Sequence, residues 1–188
     1  MSKLRVFSAS HNSHKFAVNC IESVARQTVG DDWLATENAL ESVLKAYEDP
    51  KVKYVYTNWL FSHNGELGIS KHIPSNNWNP YENPWVTSAM STFKVSEFLK
   101  IPISNFLRWD YKWFRMGCDQ AYVLPILYQL WKENGNYDAV KFIDEPLYTY
   151  QYKENPNKLR NDKTEESTRM RVDAYNSVEF IKERDYSD

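Results

Sequence analysis

The sequence predicts an α/β domain, and three stretches point to it. Residues 4–8 are a short apolar and β-branched run. Turn-forming residues 8–13 follow it, and then Phe16, Cys20, Ile21, Val24 and Ala25 recur at helical spacing. A second helical stripe, Leu40, Val43, Leu44 and Tyr47, leads into residues 53–61, which alternate and are rich in Tyr, Val and Trp. A third helical pattern over 119–131 precedes two short strand-like runs, 139–143 and 147–151. With 188 residues the chain can build one sizeable core, and two comfortable domains do not fit.

Taken in order, residues 4–8 predict a first buried strand and 16–27 a helix. Residues 28–32 read as a loop. A helix is predicted over 36–47, with Thr36 as its cap and Asp49-Pro50 as its stop. Residues 53–61 predict a strand. His63-Asn-Gly65 predicts a turn, with 68–73 as a returning strand. Three prolines and four asparagines make 74–84 a long loop. Residues 87–94 predict a strand and 96–99 one helical turn. The helix over 119–131 must accommodate Pro125. Residues 153–163 are polar and turn-rich. Residues 164–184 predict a surface helix with Met170, Ala174, Val178 and Ile181 on one stripe. The whole chain, 1–188, reads as a single domain, with 153–188 forming its polar segment and C-terminal helix.

Composition narrows the function. Lys and Arg total 23 against 25 Asp and Glu, so no basic excess points at nucleic acid. Five glycines, with no G-x-G-x-x-G and no G-x-x-x-x-G-K-[ST], exclude a glycine-rich phosphate cradle. Aromatics make up 15% of the chain, which suits either a sugar- or protein-contacting surface or an aromatic core. Cys20 and Cys118 form no C-x-x-C and read as two thiols in a reducing compartment. The first eight residues lack the apolar core of a signal peptide, and no run approaches the ~18–20 apolar residues of a spanning helix. The expectation is a cytoplasmic protein without a transmembrane segment.

Several residues have the chemistry of a site. Asp31 and Asp32 are adjacent hard oxygen donors, fit to hold Mg²⁺ or Mn²⁺ against a diphosphate, or else a solvated loop capping the next helix. Asp119 stands where a helix begins. It is placed either to act as a general base toward a sugar hydroxyl or to cap that helix. His11-x-x-His14 is half of a metal pattern that nothing completes, so both read as polar loop residues. No serine or cysteine nucleophile sits in a recognisable elbow. In Asn76-Asn-Trp-Asn-Pro-Tyr-Glu-Asn-Pro-Trp85, aromatic faces alternate with amides. That mix suits pyranose recognition, or a loop that turns its rings into the core.

Five stretches, in order, make the chain resemble a family 2 type glycosyltransferase of the GT-A fold. They are Arg5-Val-Phe-Ser-Ala-Ser-His-Asn12 with Cys20-Ile-Glu-Ser-Val-Ala-Arg-Gln-Thr28; Gly30-Asp-Asp-Trp-Leu-Ala-Thr-Glu-Asn-Ala-Leu-Glu41; Tyr47-Glu-Asp-Pro-Lys-Val-Lys-Tyr-Val-Tyr-Thr-Asn-Trp59; Trp85-Val-Thr-Ser-Ala-Met-Ser-Thr-Phe-Lys94; and Cys118-Asp-Gln-Ala-Tyr-Val-Leu-Pro125 with Phe142-Ile-Asp-Glu-Pro-Leu-Tyr-Thr-Tyr150 and Asn155-Pro156. The resemblance implies a mixed sheet flanked by helices. It also implies transfer of a sugar from a nucleotide-sugar donor, such as a UDP-sugar, to an acceptor hydroxyl, with inversion at the anomeric carbon. On this reading Asp31 and Asp32 hold Mn²⁺ or Mg²⁺, and Ser8, Ser10, His11 and Asn12 lie along the nucleotide. Asp119 takes the acceptor's proton, while Trp78, Tyr81, Trp85 and Ser88 face the acceptor, a glycan or another hydroxyl compound.

The likeness also has a gap. In the family, further strands separate the first helix from the acidic motif and supply carboxylates that grip the base and ribose. Here Asp31 follows Thr28 within three residues, and Val29 stands where the family has its first aspartate. The missing piece corresponds to one or two strand–helix units, roughly 30–60 residues. Two expectations follow: a homodimer paired through bare sheet edges, and an alternative function as a non-catalytic remnant that binds glycan or a protein partner.

Overall fold

In the computed structural model, residues 33–114, 117–151 and 165–183 are described. The expected first strand (4–8) and helix (16–27) lie outside them. The described elements are β1 (Trp33–Leu34), α1 (Ala39–Ala46), β2 (Tyr54–Phe61), β3 (Ala89–Phe93) and α2 (Val95–Phe98). A 3-10 turn (Ile103–Phe106), α3 (Gln120–Asn134), β4 (Val140–Tyr150) and α4 (Glu165–Lys182) complete the order. The strands form one four-stranded sheet in the order β1-β4-β2-β3. Its centre, β2 with β4, is parallel, whereas β1 on β4 and β3 on β2 are antiparallel. The protein is therefore α/β with a mixed sheet.

Side-chain alternation sends successive residues of a strand to opposite faces. Tyr54 and Tyr56 of β2 and Phe142 of β4 meet Val123, Ile126, Leu127 and Leu130 of α3. Leu147 and Ile143 of β4 meet Ala39 and Val43 of α1 on the other face. Helices thus cover both faces, and the sheet is the buried middle layer. Val43 is fully buried, which is worth about 1.5–3 kcal/mol for a side chain of this kind. Leu44 of the same stripe is 43% exposed, so the apolar face of that helix is narrower than its spacing predicts. α1 starts three residues later than expected. The Thr36 carbonyl accepts the Ala39 amide in a turn at 3.3 Å, and Asn38 occupies the cap position with no side-chain cap bond.

Two expected strands, 139–143 and 147–151, are one strand, β4. Asp144-Glu145-Pro146 reads as a turn but forms an irregularity inside the ladder. Thr57 pairs with Ile143 and Asn58 with Pro146, so the residues between bulge out while pairing resumes beyond them. The returning strand expected over 68–73 does not form. Pairing with β2 stops after one antiparallel bridge, Leu60 to Leu67, and the Gly68 amide's bond to the Trp59 carbonyl at 2.8 Å; beyond it the Lys71 amide donates to the Val86 carbonyl at 3.1 Å and the Tyr56 hydroxyl donates to the Lys71 carbonyl at 2.8 Å. Gly68 lies flat on the Trp59 indole, where a Cβ would stand 1.8 Å from Cε2.

α3 ends at Gly135, whose φ of +68° is the left-handed conformation that favours glycine, and its amide returns to the Trp131 carbonyl at 2.8 Å. Pro125 sits in the second turn of α3 and is buried; it has no N–H to offer the ladder there. Four charges fasten the start of β2, α2 and the last turn of α3. The buried Glu97 carboxylate meets Lys100 at 2.7 Å and Lys53 at 3.6 Å, and Glu133 meets the same lysines at 2.7 and 3.1 Å. At one edge of the sheet, β3 carries a register shift and Met90 at φ +43°, and Lys94 follows it.

Candidate functional site

Asp119 stands immediately before α3, at its cap position, and the Tyr122 and Val123 amides donate to its backbone carbonyl at 3.3 and 2.9 Å. Its side chain makes no capping hydrogen bond to that helix, and the residue is exposed. Around it lies a cluster of hydroxyls and thiol. Burial pushes the Tyr122 phenol well above its ordinary range, and the nearby Asp119 carboxylate and Cys118 raise it further. Burial likewise raises the Cys118 thiol, with Asp119 adding to the effect; the thiol donates to the Phe114 carbonyl at 3.3 Å. A buried thiol held in the neutral form is a poor nucleophile.

The same cluster reaches β3. The Tyr122 ring packs 5.7 Å from Phe93 and 6.2 Å from Phe98. The buried Tyr54 phenol donates to Ser91 Oγ at 2.7 Å. Burial raises that phenol well above its usual value, the Ser91 bond opposes the shift, and Tyr122 adds to it. Tyr122, packed on Phe93, and Tyr54, bonded to Ser91, thus both reach β3, the strand that follows Ser88. Ser91, Tyr54 and Tyr122 were not singled out by sequence. Tyr122 lies one helical turn beyond Asp119, which is the signal that places it on the same face.

The aromatic loop takes the inward course for two of its rings. Trp78 is 4% exposed and meets Tyr137 edge-on at 5.8 Å, and its carbonyl accepts the Tyr137 hydroxyl at 2.5 Å. Tyr81 is 8% exposed and meets Tyr128 at 5.4 Å, in the cluster that holds Leu124 and Ile181. Both rings take the course into the core, the other of the two readings of this loop. Trp85 is half-buried between the two core clusters, and Ser88 is also half-buried. Asp31, Asp32, Ser8, Ser10, His11 and Asn12 lie outside the described residues. Their nearest described neighbour, Trp33, is paired with Thr149 in the sheet. Among the described residues no three His, Cys, Asp or Glu side chains gather as a metal site, and no helix is long and apolar enough to cross a membrane.

No family model, curated protein or solved structure matches the chain.

Proposed function

We propose that the protein transfers a sugar from a nucleotide-sugar donor to an acceptor hydroxyl on a GT-A-like framework. The observation that carries the reading is Asp119. It stands at the head of α3, one turn before Tyr122, whose ring packs on Phe93 of the strand that follows Ser88. On this reading the Asp119 carboxylate takes the acceptor's proton as the acceptor oxygen bonds to the anomeric carbon. The bond from that carbon to the donor phosphate breaks on the opposite face, and the configuration inverts. Ser88 and Trp85 are the acceptor-side residues that this geometry leaves within the proposal.

Asp31 and Asp32 would hold Mn²⁺ or Mg²⁺, since two adjacent carboxylates are the hard donors such cations take, and the cation offsets charge on the leaving diphosphate. Ser8, Ser10, His11 and Asn12 would line the nucleotide. A cytoplasmic location belongs to the same proposal, and so does a homodimer. Light scattering that reads a monomer at micromolar concentration retires the dimer.

The test is thermal unfolding with UDP and other nucleoside diphosphates in the presence of Mn²⁺. At a hundredfold excess over Kd, binding stabilises the native state by about 2.7 kcal/mol, or roughly 5–10 °C for a chain of this size. Asp31→Ala removes the shift. Asp119→Asn keeps it while transfer falls by about 10²–10⁴-fold. No shift with any nucleoside diphosphate overturns the reading. The alternative, a non-catalytic module that binds glycan or a partner, needs Trp78, Tyr81 and Trp85 at the surface. With the first two packed in the core, it keeps only Trp85.

A further inference from the structure

α4 is fastened to the fold along one narrow seam. Among its described side chains only Ser177 and Ile181 are buried, while Val172 is 53% and Tyr175 66% exposed. α3, by contrast, buries seven residues. The Ser177 hydroxyl is enclosed and has no hydrogen-bond partner among the described residues. Such a group destabilises the docked helix and is relieved once the helix turns into water. Along the same seam Trp109 and Phe180 border an open groove of about 310 Å³, so the two surfaces close incompletely.

The contacts that hold the seam are few and specific. The Arg108 guanidinium meets Asp173 at 2.9 Å. The Phe180 ring lies 5.7 Å from Trp109 and 6.4 Å from Phe114. Ile181 packs with Phe114, Ala121 and Leu124. The seam also reaches the head of α3. Gly117 has φ +68°, a conformation that favours glycine, and a Cβ there would stand 3.3 Å from Val178 Cγ2. The Gly117 carbonyl receives the first amides of α3, from Gln120 at 3.0 Å and Ala121 at 3.3 Å. Cys118, the next residue, packs against the cluster that contains Ile181.

We propose that α4 is a reversible clamp on the head of α3. Docked, Val178 and Ile181 hold Gly117 and Cys118, and with them the place where the helix begins. Undocked, by a local opening that leaves the sheet folded, α4 frees Gly117 and loosens the first turn of α3. Whatever chemistry that turn carries is thereby gated by the docking. The clamp is a property of the fold and stands whether or not Asp119 accepts a proton.

Hydrogen exchange of the full chain, read by peptide mass spectrometry, tests it without any ligand. In the unaltered protein the amides of 172–183 should exchange through an opening at least about tenfold more populated than the one that exposes 127–134 of α3. Asp173→Asn cuts the tie to Arg108 and should speed exchange in α4 by about threefold to tenfold, with the amides of 120–123 speeding alongside. Ser177→Ala removes the enclosed hydroxyl and should slow both segments by about the same factor. In both variants β2 and 127–134 should keep their original rates. The proposal is overturned if α4 exchanges only together with β2, or if 120–123 stays unmoved while α4 responds. If Asp173→Asn does not fold, Ser177→Ala, which is expected to stabilise the docked state, decides alone.

Discussion

Gly68→Ala is the sharpest probe of this fold. The added Cβ would stand 1.8 Å from Trp59 Cε2, 2.2 Å from Nε1 and 2.3 Å from Cδ2. These separations are far inside the ~3.5 Å at which carbon atoms attract, so the ring or the segment must move by more than about 1 Å. The indole has little room. Trp59 is 8% exposed, Phe61 and Tyr150 lie edge-on to it at 4.6 and 5.5 Å, and its backbone is held in β2 opposite Tyr148. The segment is held as well, because the Gly68 amide donates to the Trp59 carbonyl. Overpacking of this kind costs about 1–3 kcal/mol, and 2 kcal/mol lowers Tm by roughly 4–8 °C in a chain of this length. Urea unfolding followed by circular dichroism reads the loss. The same substitution beside Trp59→Phe, where the smaller ring frees space, should cost less than half as much, giving a coupling that a double-mutant cycle isolates. Unchanged stability in Gly68→Ala, or an equal loss in both backgrounds, refutes the packing argument.

Three further outcomes follow from the packing and the charges. Trp78→Ala should destabilise by about 3–5 kcal/mol, because the ring belongs to the core cluster of α3 and β2; chemical denaturation measures it, and an undiminished midpoint would mean the ring is dispensable to the core. Tyr137→Phe should cost about 1–2 kcal/mol by stranding the Trp78 carbonyl inside the protein, visible in the same assay. Glu133 is held below its usual value by Lys100 first and Lys53 second. Its stabilising effect is therefore complete above the unfolded value near 4.5 and fades as pH falls through the depressed folded value. Glu133→Gln should flatten the decline in stability below pH 4.5, and the difference should shrink in salt because the carboxylate is 41% exposed.

The central strand β2 was legible because residues 53–61 are dense in β-formers. Other features depended on partners that spacing does not report. Asp144-Glu145-Pro146 has the composition of a turn, yet the parallel partner β2 carries β4 straight through it as a bulge. Residues 68–73 have strand-like composition, but pairing with β2 ends at Gly68 and the Lys71 amide turns to the Val86 carbonyl. At the candidate site, Asp119 was legible as the residue opening a helix. Tyr54 and Ser91 were not, since they meet through a hydroxyl contact between strands distant in sequence from Asp119. Trp78 and Tyr81 carried the opposite lesson: an aromatic and amide-rich loop reads equally as a sugar platform or as a lid on the core, and only the neighbouring rings of Tyr137 and Tyr128 decide.

The parallel pairing at the middle of the sheet has a consequence for how the chain assembles. Tyr54 finds its partner in Val140 and Phe61 in Tyr150, whereas the pairing of β2 with β3 spans a much shorter stretch. During synthesis β2 therefore emerges long before β4, and one flank of it must wait without a neighbour. Contacts so distant along the chain slow the search for the native state and leave intermediates prone to association. A nascent chain halted before residue 150 would present an unclosed strand rich in tyrosine and tryptophan, the species in which chaperone dependence should concentrate.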